Sequence, residues 1–210
     1  GRTVVYRASP TDSDGDGLPD DWELHGYQVT VNGKTIFVDL HEMGANPYHK
    51  DIFIESDYMI DPSTFLHVGH SHQLKQAAID IVVSAFANAP VGNPDGSTGI
   101  ALHVDNGPAS VMNPVTGERW GQRSQSNSLT ESEFVESNGS FDWTAFDTYK
   151  NGARGSENDD GTATNLSAAR ARAFHYVISA HDIKIPGRFT RSGQDEFTSG
   201  ISRGLGTRDF

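Results

Sequence analysis

Six carboxylates fall within twelve residues in the run Asp12-Ser13-Asp14-Gly15-Asp16-Gly17-Leu18-Pro19-Asp20-Asp21-Trp22-Glu23. Like charges at that density repel one another unless a cation sits among them. Asp12, Asp14 and Asp16 occupy loop positions one, three and five, Gly17 follows at the sharp turn, the Leu18 carbonyl falls at seven and Glu23 at twelve. That spacing makes a hard-oxygen cage for Ca²⁺, with Glu23 as the bidentate ligand. Oxygen donors without nitrogen or sulfur argue against zinc or copper. A solvated acidic turn would also be built from Asp and Gly, but it has no use for a Glu at the twelfth place.

The run satisfies the EF-hand expression, yet Pro19 lacks the N–H that a paired EF-hand loop uses there, and Ser9-Pro10-Thr11 does not read as an entering helix. Pro19 instead suits the first turn of a short exit helix from Pro19 to His25, with Gly26 placed to end it. The loop resembles thrombospondin type 3 repeats and, more closely, the calcium module of binary-toxin protective antigens. The second likeness continues through Trp22-Glu23 and Gly26-Tyr27-Gln28-Val29 to Ala45-Asn46-Pro47-Tyr48 and Asp51. It implies a second Ca²⁺ sharing Asp14, Asp16 and Glu23 and completed by Asp51.

At 210 residues the chain is long enough to bury a core without disulfide staples, and one compact unit is expected, with residues 1–50 carrying an arm, the calcium loop and a hairpin and residues 51–210 an α/β core. A formal charge of −12 argues against nucleic acid and anionic membranes as partners. The absence of cysteine excludes a thiolate nucleophile and zinc-finger sites. Weak calcium cages usually work outside the cell, so an extracellular, secreted protein is expected. The sequence shows neither a signal peptide nor an apolar run of membrane length, and reads as a mature product without membrane insertion.

Residues 1 to 8 form a β-prone arm ahead of Pro10. Such an arm either folds back, frays, or adds to a sheet edge of another copy of the chain, and the last option would allow a filament. Asn32-Gly33 between Tyr27–Val31 and Thr35–Val38 predicts a β-hairpin. Asp51–Asp57 reads as a strand buried at its start, with Glu55 and Asp57 emerging near its end. Leu74, Ala77, Ala78, Ile81, Val82, Ala85 and Phe86 predict a helix over about Gln73 to Asn88, closed by Pro90. After the Asn93–Gly96 turn, Gly99–Asp105 returns as a strand, so strand, helix and strand form a right-handed parallel crossover. The expected fold is α/β, a mixed and largely parallel sheet with flanking helices.

Residues 106 to 140 read as a long surface excursion anchored by Val111, Met112, Trp120, Phe134 and Val135. Trp143, Phe146 and Tyr149 recur every three residues, either on one face of a short helix or in an aromatic-rich loop. Asn151–Thr164 is a polar loop whose acids are read as solvated, leading to a short helix from about Ser167, and Phe174–Ala180 is a third core strand. From Asp182 onward the chain reads as loop.

Lys50–Glu55, Ala85–Val91, Asn93–Ile100, Leu102–Asp105, Phe174–Tyr176 and Ser199–Gly204 together resemble a family of exported bacterial zincin-like metalloprotease homologues. The resemblance implies a further strand and a His-Glu-x-x-His helix after the region of Phe210, and neither lies in these residues. The one His-Glu pair, His41-Glu42, has Ala45 where the second zinc histidine belongs. His67, His70 and His72 have the chemistry for zinc or nickel, but just ahead of a long helix they are read as capping and loop residues. His103 and Asp105 share a strand face and are read as a mutually satisfied pair. No Ser, His and Asp set has hydrolase spacing, and the Gly-rich stretches lack the Lys of a phosphate loop. Two readings follow: a non-catalytic, calcium-stabilised extracellular module for structure or assembly, and the leading part of a secreted zinc metalloprotease whose catalytic helix is absent.

Overall fold

The computed structural model describes residues 11–31, 33–62, 68–131, 134–137, 140–141, 143–152, 164–180, 183–189 and 195–198. The chain opens with the acidic loop and α1 (Asp20–His25), then the hairpin β1 (Tyr27–Val31) and β2 (Lys34–Val38), and then β3 (Asp51–Asp61). β4 (His70–Ser71), α2 (Gln76–Ala87) and β5 (Ala101–Asp105) follow. Next come β6 (Val111–Asn113), β7 (Glu118–Arg119), β8 (Ser128–Thr130), β9 (Phe134–Ser137), β10 (Ser140–Phe141) and α3 (Trp143–Lys150). The described chain closes with β11 (Phe174–Ser179), β12 (Ile183–Phe189) and β13 (Asp195–Thr198). The fold is mixed α/β, with several sheets and few helices.

β3 is the axis. β11 pairs with it in parallel, Phe174 opposite Phe53 through Ser179 opposite Tyr58, while β5 runs parallel on the other flank, Asp51 opposite Ala101 through Glu55 opposite Asp105. Further along, β8 pairs in parallel from Tyr58 to Ile60 on the β5 side, and β4 pairs antiparallel at Ile60 and Asp61 on the β11 side. A strand with neighbours on both edges satisfies its backbone within the sheet, which explains the apolar run Ile52-Phe53-Ile54. The predicted crossover from β3 through α2 to β5 is present.

Three differences from the sequence reading concern this core. β3 runs to Asp61, and Glu55 and Asp57 do not emerge from it: both are fully buried. The helix spans Gln76–Ala87, and its buried line is Ile79 with Val83 and Phe86, packed on Leu102 and Val104. Ile81, Val82 and Leu74, assigned to the inner stripe, are exposed; apolar residues cover so much of α2 that spacing alone did not single out the covered face. Residues 106–140 are not simply an excursion over the surface. They contribute β6 to β10, and Met112 and Trp120 are completely buried, with the Trp120 indole donating to the Val104 carbonyl at 2.9 Å.

Later elements also differ in part. α3 forms as expected and sets Phe146 against Met59, Leu129, Leu166 and Tyr176. Residues Arg170–Arg172 form one 3-10 turn where a short helix was expected from Ser167. The region after Asp182, read as loop, contains β12 and β13, an antiparallel pair whose polar sequence gave little periodic signal. The arm at residues 1–8 and most of the 151–164 loop lie outside the described residues.

One apolar cluster joins the acidic loop to the sheet. Leu18, Tyr27, Val29, Val38, Leu40 and Met43 pack with Phe53, Met112, Trp120 and Phe174. The Tyr27 hydroxyl reaches across this cluster to the Ala169 carbonyl at 2.7 Å. Each of these side chains contributes roughly 1.5–3 kcal/mol when fully buried, so the loop and hairpin are held to β3 by packing as well as by chain connection.

Candidate metal centre

Short side chains at alternate positions let the acidic loop fold on itself. Asp12 accepts from the Gly15 and Gly17 amides at 2.7 and 3.1 Å, Asp14 from the Asp16 amide at 3.0 Å, and Asp16 from the Leu18 amide at 2.7 Å. Gly15 and Gly17 take φ of 76° and 95°, so the turns here require glycine. Pro19, expected in the first turn, is instead the extended N-cap of α1, so the helix starts one residue later than predicted, and Gly26 ends it at φ 70°. One turn into α1, Glu23 points inward and is wholly buried, while Trp22 stacks on Tyr27 with ring centroids 4.4 Å apart.

The sheet supplies the far wall. Asp51 opens β3, and its amide donates to Asp16 Oδ2 at 2.7 Å, tying the loop to the central strand. Ligand atoms of Asp12, Asp14 and Asp16 lie within 4.8 Å of one another, and so do those of Asp16, Glu23 and Asp51. The two groups share Asp16. Leu18 sends its side chain into the core cluster and its amide to Asp16.

The electrostatics of this cluster call for a cation. Both oxygens of Glu23 and Asp14 Oδ2 are buried without a hydrogen-bond donor among the described residues. An ionised carboxylate in that position is expensive to desolvate and has nothing to offset it. Burial, followed by the charges of Asp16, Asp14 and Asp51, pushes the Glu23 carboxyl up from 4.5 to about 9. Burial and Asp16 push Asp14 from 3.8 to about 6, and burial raises Asp16 as well. A divalent cation would reverse the sign of each effect by giving the orphaned oxygens a partner. The donors are all oxygen and two of the groups share a carboxylate, so the residues present fit Ca²⁺.

Two supporting residues were not assigned to this site from sequence. Asp20 accepts from the Ser13 amide and hydroxyl, both at 2.7 Å, and so braces the outer turn of the loop. His103, on β5, lies 2.6 Å from Asp51 Oδ1 through Nε2 and 2.9 Å from the Met112 carbonyl through Nδ1, with its ring stacked on Phe53. Both ring nitrogens thus face oxygen acceptors, and Asp51 is held in place by the ring and by the Asn46 amide at 2.8 Å. The expected pairing of His103 with Asp105 does not occur. Consecutive in-facing positions on β5 serve different clusters, and the parallel register sets His103 beside Phe53 and Asp105 beside Glu55. No sequence signal short of that register would have paired His103 with Asp51.

Asp105 belongs to a second buried network. Arg170 donates from Nη1 to Glu55 at 2.7 Å and to Asp105 at 2.6 Å, and its guanidinium lies over the rings of Phe174 and Trp120. Ser124 Oγ and the Gln125 amide also reach Asp105, and the Tyr176 hydroxyl donates to Asp57 at 2.7 Å. Burial raises Glu55 to about 8 against the opposing pull of Arg170. His41-Glu42 lies on an exposed turn, and Glu42 forms an ion pair with Arg123.

Comparison with known proteins bears on this site. The family model of the clostridial binary toxin B/anthrax toxin PA Ca-binding domain matches residues 11–62, a span that starts at the acidic loop and ends just past β3. The match supports the calcium loop and suggests that these residues form a calcium-binding module. No curated protein and no solved structure was found to match the chain, and the likeness to zincin-like metalloproteases has no support from these comparisons. Among the described residues, no helix is long and apolar enough to cross a membrane.

Proposed function

We propose that the chain is an extracellular, calcium-stabilised module whose role is structural or assembly-related, with Asp12, Asp14, Asp16, Glu23, Asp51 and the Leu18 carbonyl as ligands for up to two Ca²⁺ ions. The observation that carries this reading is the buried, donorless carboxylate of Glu23 facing Asp16 and Asp51. A cation there bridges the loop to the first residue of the central strand, which makes folding of the amino-terminal 50 residues onto the 51–210 core dependent on calcium. Millimolar calcium outside cells suits a cage of this type. Copies of the chain associate through the arm at residues 1–8, as an added edge strand.

Chelation with the metal verified as removed tests the stabilising role: the melting temperature falls, and Asp16→Ala reproduces much of the fall without chelator. An unchanged melting curve would refute it. Deleting residues 1–8 and measuring mass by light scattering tests the association, which an unchanged assembly would overturn. A second reading is the leading part of a zinc protease, in which further structure would cover the apolar face of α2 exposed at Ile81 and Val82. Zinc-dependent proteolysis by this chain would decide for a catalytic role.

A further inference from the structure

The far end of β3 brings together a second set of side chains, with different chemistry. Antiparallel pairing places His70 opposite Asp61, and His72 follows two residues on, facing the same side of the sheet. On the other flank β8 pairs Thr130 with Ile60, so the next residue, Glu131, comes beside Asp61. His70, Asp61 and Glu131 therefore form a row across three strands, with His72 in the adjacent row. Backbone hydrogen bonds fix both outer members: the His72 amide donates to Met59 O at 2.9 Å and the Glu131 amide to Ile60 O at 3.0 Å. Ser179 adds a 2.6 Å bond to the His72 carbonyl.

The side chains converge on one oxygen. Glu131 Oε2 lies 3.3 Å from His72 Nε2 and 4.0 Å from His70 Nε2, and the two imidazole rings meet edge to face at 4.6 Å. His70 Nδ1 lies 3.4 Å from Asp61 Oδ2. With Nδ1 directed at Asp61, His70 turns its Nε2 toward the carboxylate oxygen that His72 also faces, the orientation that an outer-shell carboxylate gives a metal-binding imidazole. Ligands at about 2.0–2.1 Å from a tetrahedral ion lie about 3.3–3.4 Å apart, close to the observed His72–Glu131 separation. Two imidazoles and a carboxylate thus aim at one point, with their ligand atoms within 4.8 Å of one another.

We infer that His70, His72 and Glu131 form a site for a first-row divalent transition metal of the Zn²⁺ class, with Asp61 orienting His70 as its outer-shell partner. Two imidazoles and one carboxylate select such an ion over Ca²⁺, and three protein ligands leave a fourth position to water. The site differs from the acidic loop in donor type and stands at the opposite end of β3, so it does not depend on the calcium reading. It also differs from the capping role expected for these histidines: the N-cap of α2 is Lys75, whose side chain makes no capping bond among the described residues.

Titration of the full chain with Zn²⁺ in a large excess of Ca²⁺, followed by calorimetry, tests the assignment, with Co²⁺ as the spectroscopic probe. One equivalent of Zn²⁺ should bind, and Co²⁺ should give the intense visible absorption of a nitrogen-ligated tetrahedral site. His70→Ala and Glu131→Gln should each weaken binding by at least tenfold, and Asp61→Asn by about 10- to 100-fold. Circular dichroism of each variant confirms folding. Absence of the Co²⁺ spectrum in the unaltered chain overturns the assignment whatever the variants do, and so does undiminished Zn²⁺ affinity in a folded His70→Ala, Glu131→Gln double variant.

Discussion

Replacing Glu23 with Gln should reverse the order of stability between chelator and calcium. Without the ion, the Glu23 carboxyl is buried against Asp14, Asp16 and Asp51 and holds its proton to about pH 9. The unfolded chain has ionised it well before pH 7, so folding must return a proton to the group, at roughly 3 kcal/mol from 1.36 kcal/mol per pH unit. Gln needs no proton. In chelator at pH 7 the variant should therefore exceed the wild type by up to ~3 kcal/mol, less whatever the buried amide loses for want of partners. In saturating calcium the wild type gains about 4.1 kcal/mol at a thousandfold excess over Kd, more than the chelator gap, whereas the variant, lacking the bidentate ligand, gains little. At about 2–4 °C per kcal/mol for a chain of this size, the chelator gap is up to roughly 6–12 °C in thermal melts.

The pH dependence has a definite sign. A carboxyl raised from 4.5 to about 9 makes the calcium-free wild type lose stability as pH climbs through that window, and the Gln variant lacks this contribution. A variant less stable than wild type in chelator, together with the same pH slope in both, would refute the reasoning.

Calcium binding near pH 7 should release about one proton, from Glu23, and roughly half a proton more at pH 6, where Asp14 is about half protonated in the free protein; calorimetry in buffers of different ionisation enthalpy measures the count. Arg170→Ala strands Glu55 and Asp105 in the core and should cost about 3–5 kcal/mol by urea unfolding, far more than loss of an exposed ion pair. Gly26→Ala should destabilise by about 1–3 kcal/mol, because φ is 70° and a Cβ would sit 2.5 Å from the Val38 carbonyl oxygen; the same denaturation assay reads it.

What could be read from the chain followed the range of the interaction. The acidic loop, the exit helix ended by Gly26 and the Asn32-Gly33 hairpin are specified by neighbours a few residues apart, and each appears where its residues placed it. The crossover between Asp51 and Asp105 was legible because two apolar runs bracket one amphipathic helix. Contacts set by register were not. His103 reaches Asp51 across 52 residues and Arg170 reaches Glu55 across 115, and neither spacing leaves a periodic trace. Asp57 looked like a surface residue because an acid at a strand end usually is; Tyr176 and Asn127, distant in sequence, make its burial possible. His70 and His72 were visible as a pair, but Glu131, which gives them a metal-binding geometry, arrives from the opposite flank of β3.

A crystal structure of the chain grown in calcium tests the central claim most directly. The account predicts an ion at the acidic loop, 2.3–2.6 Å from carboxylate oxygens, with Glu23 and Asp16 as ligands and Asp51 closing the site from β3. Well-ordered density with no ion there, and Glu23 partnered by water or protein donors instead, would contradict it.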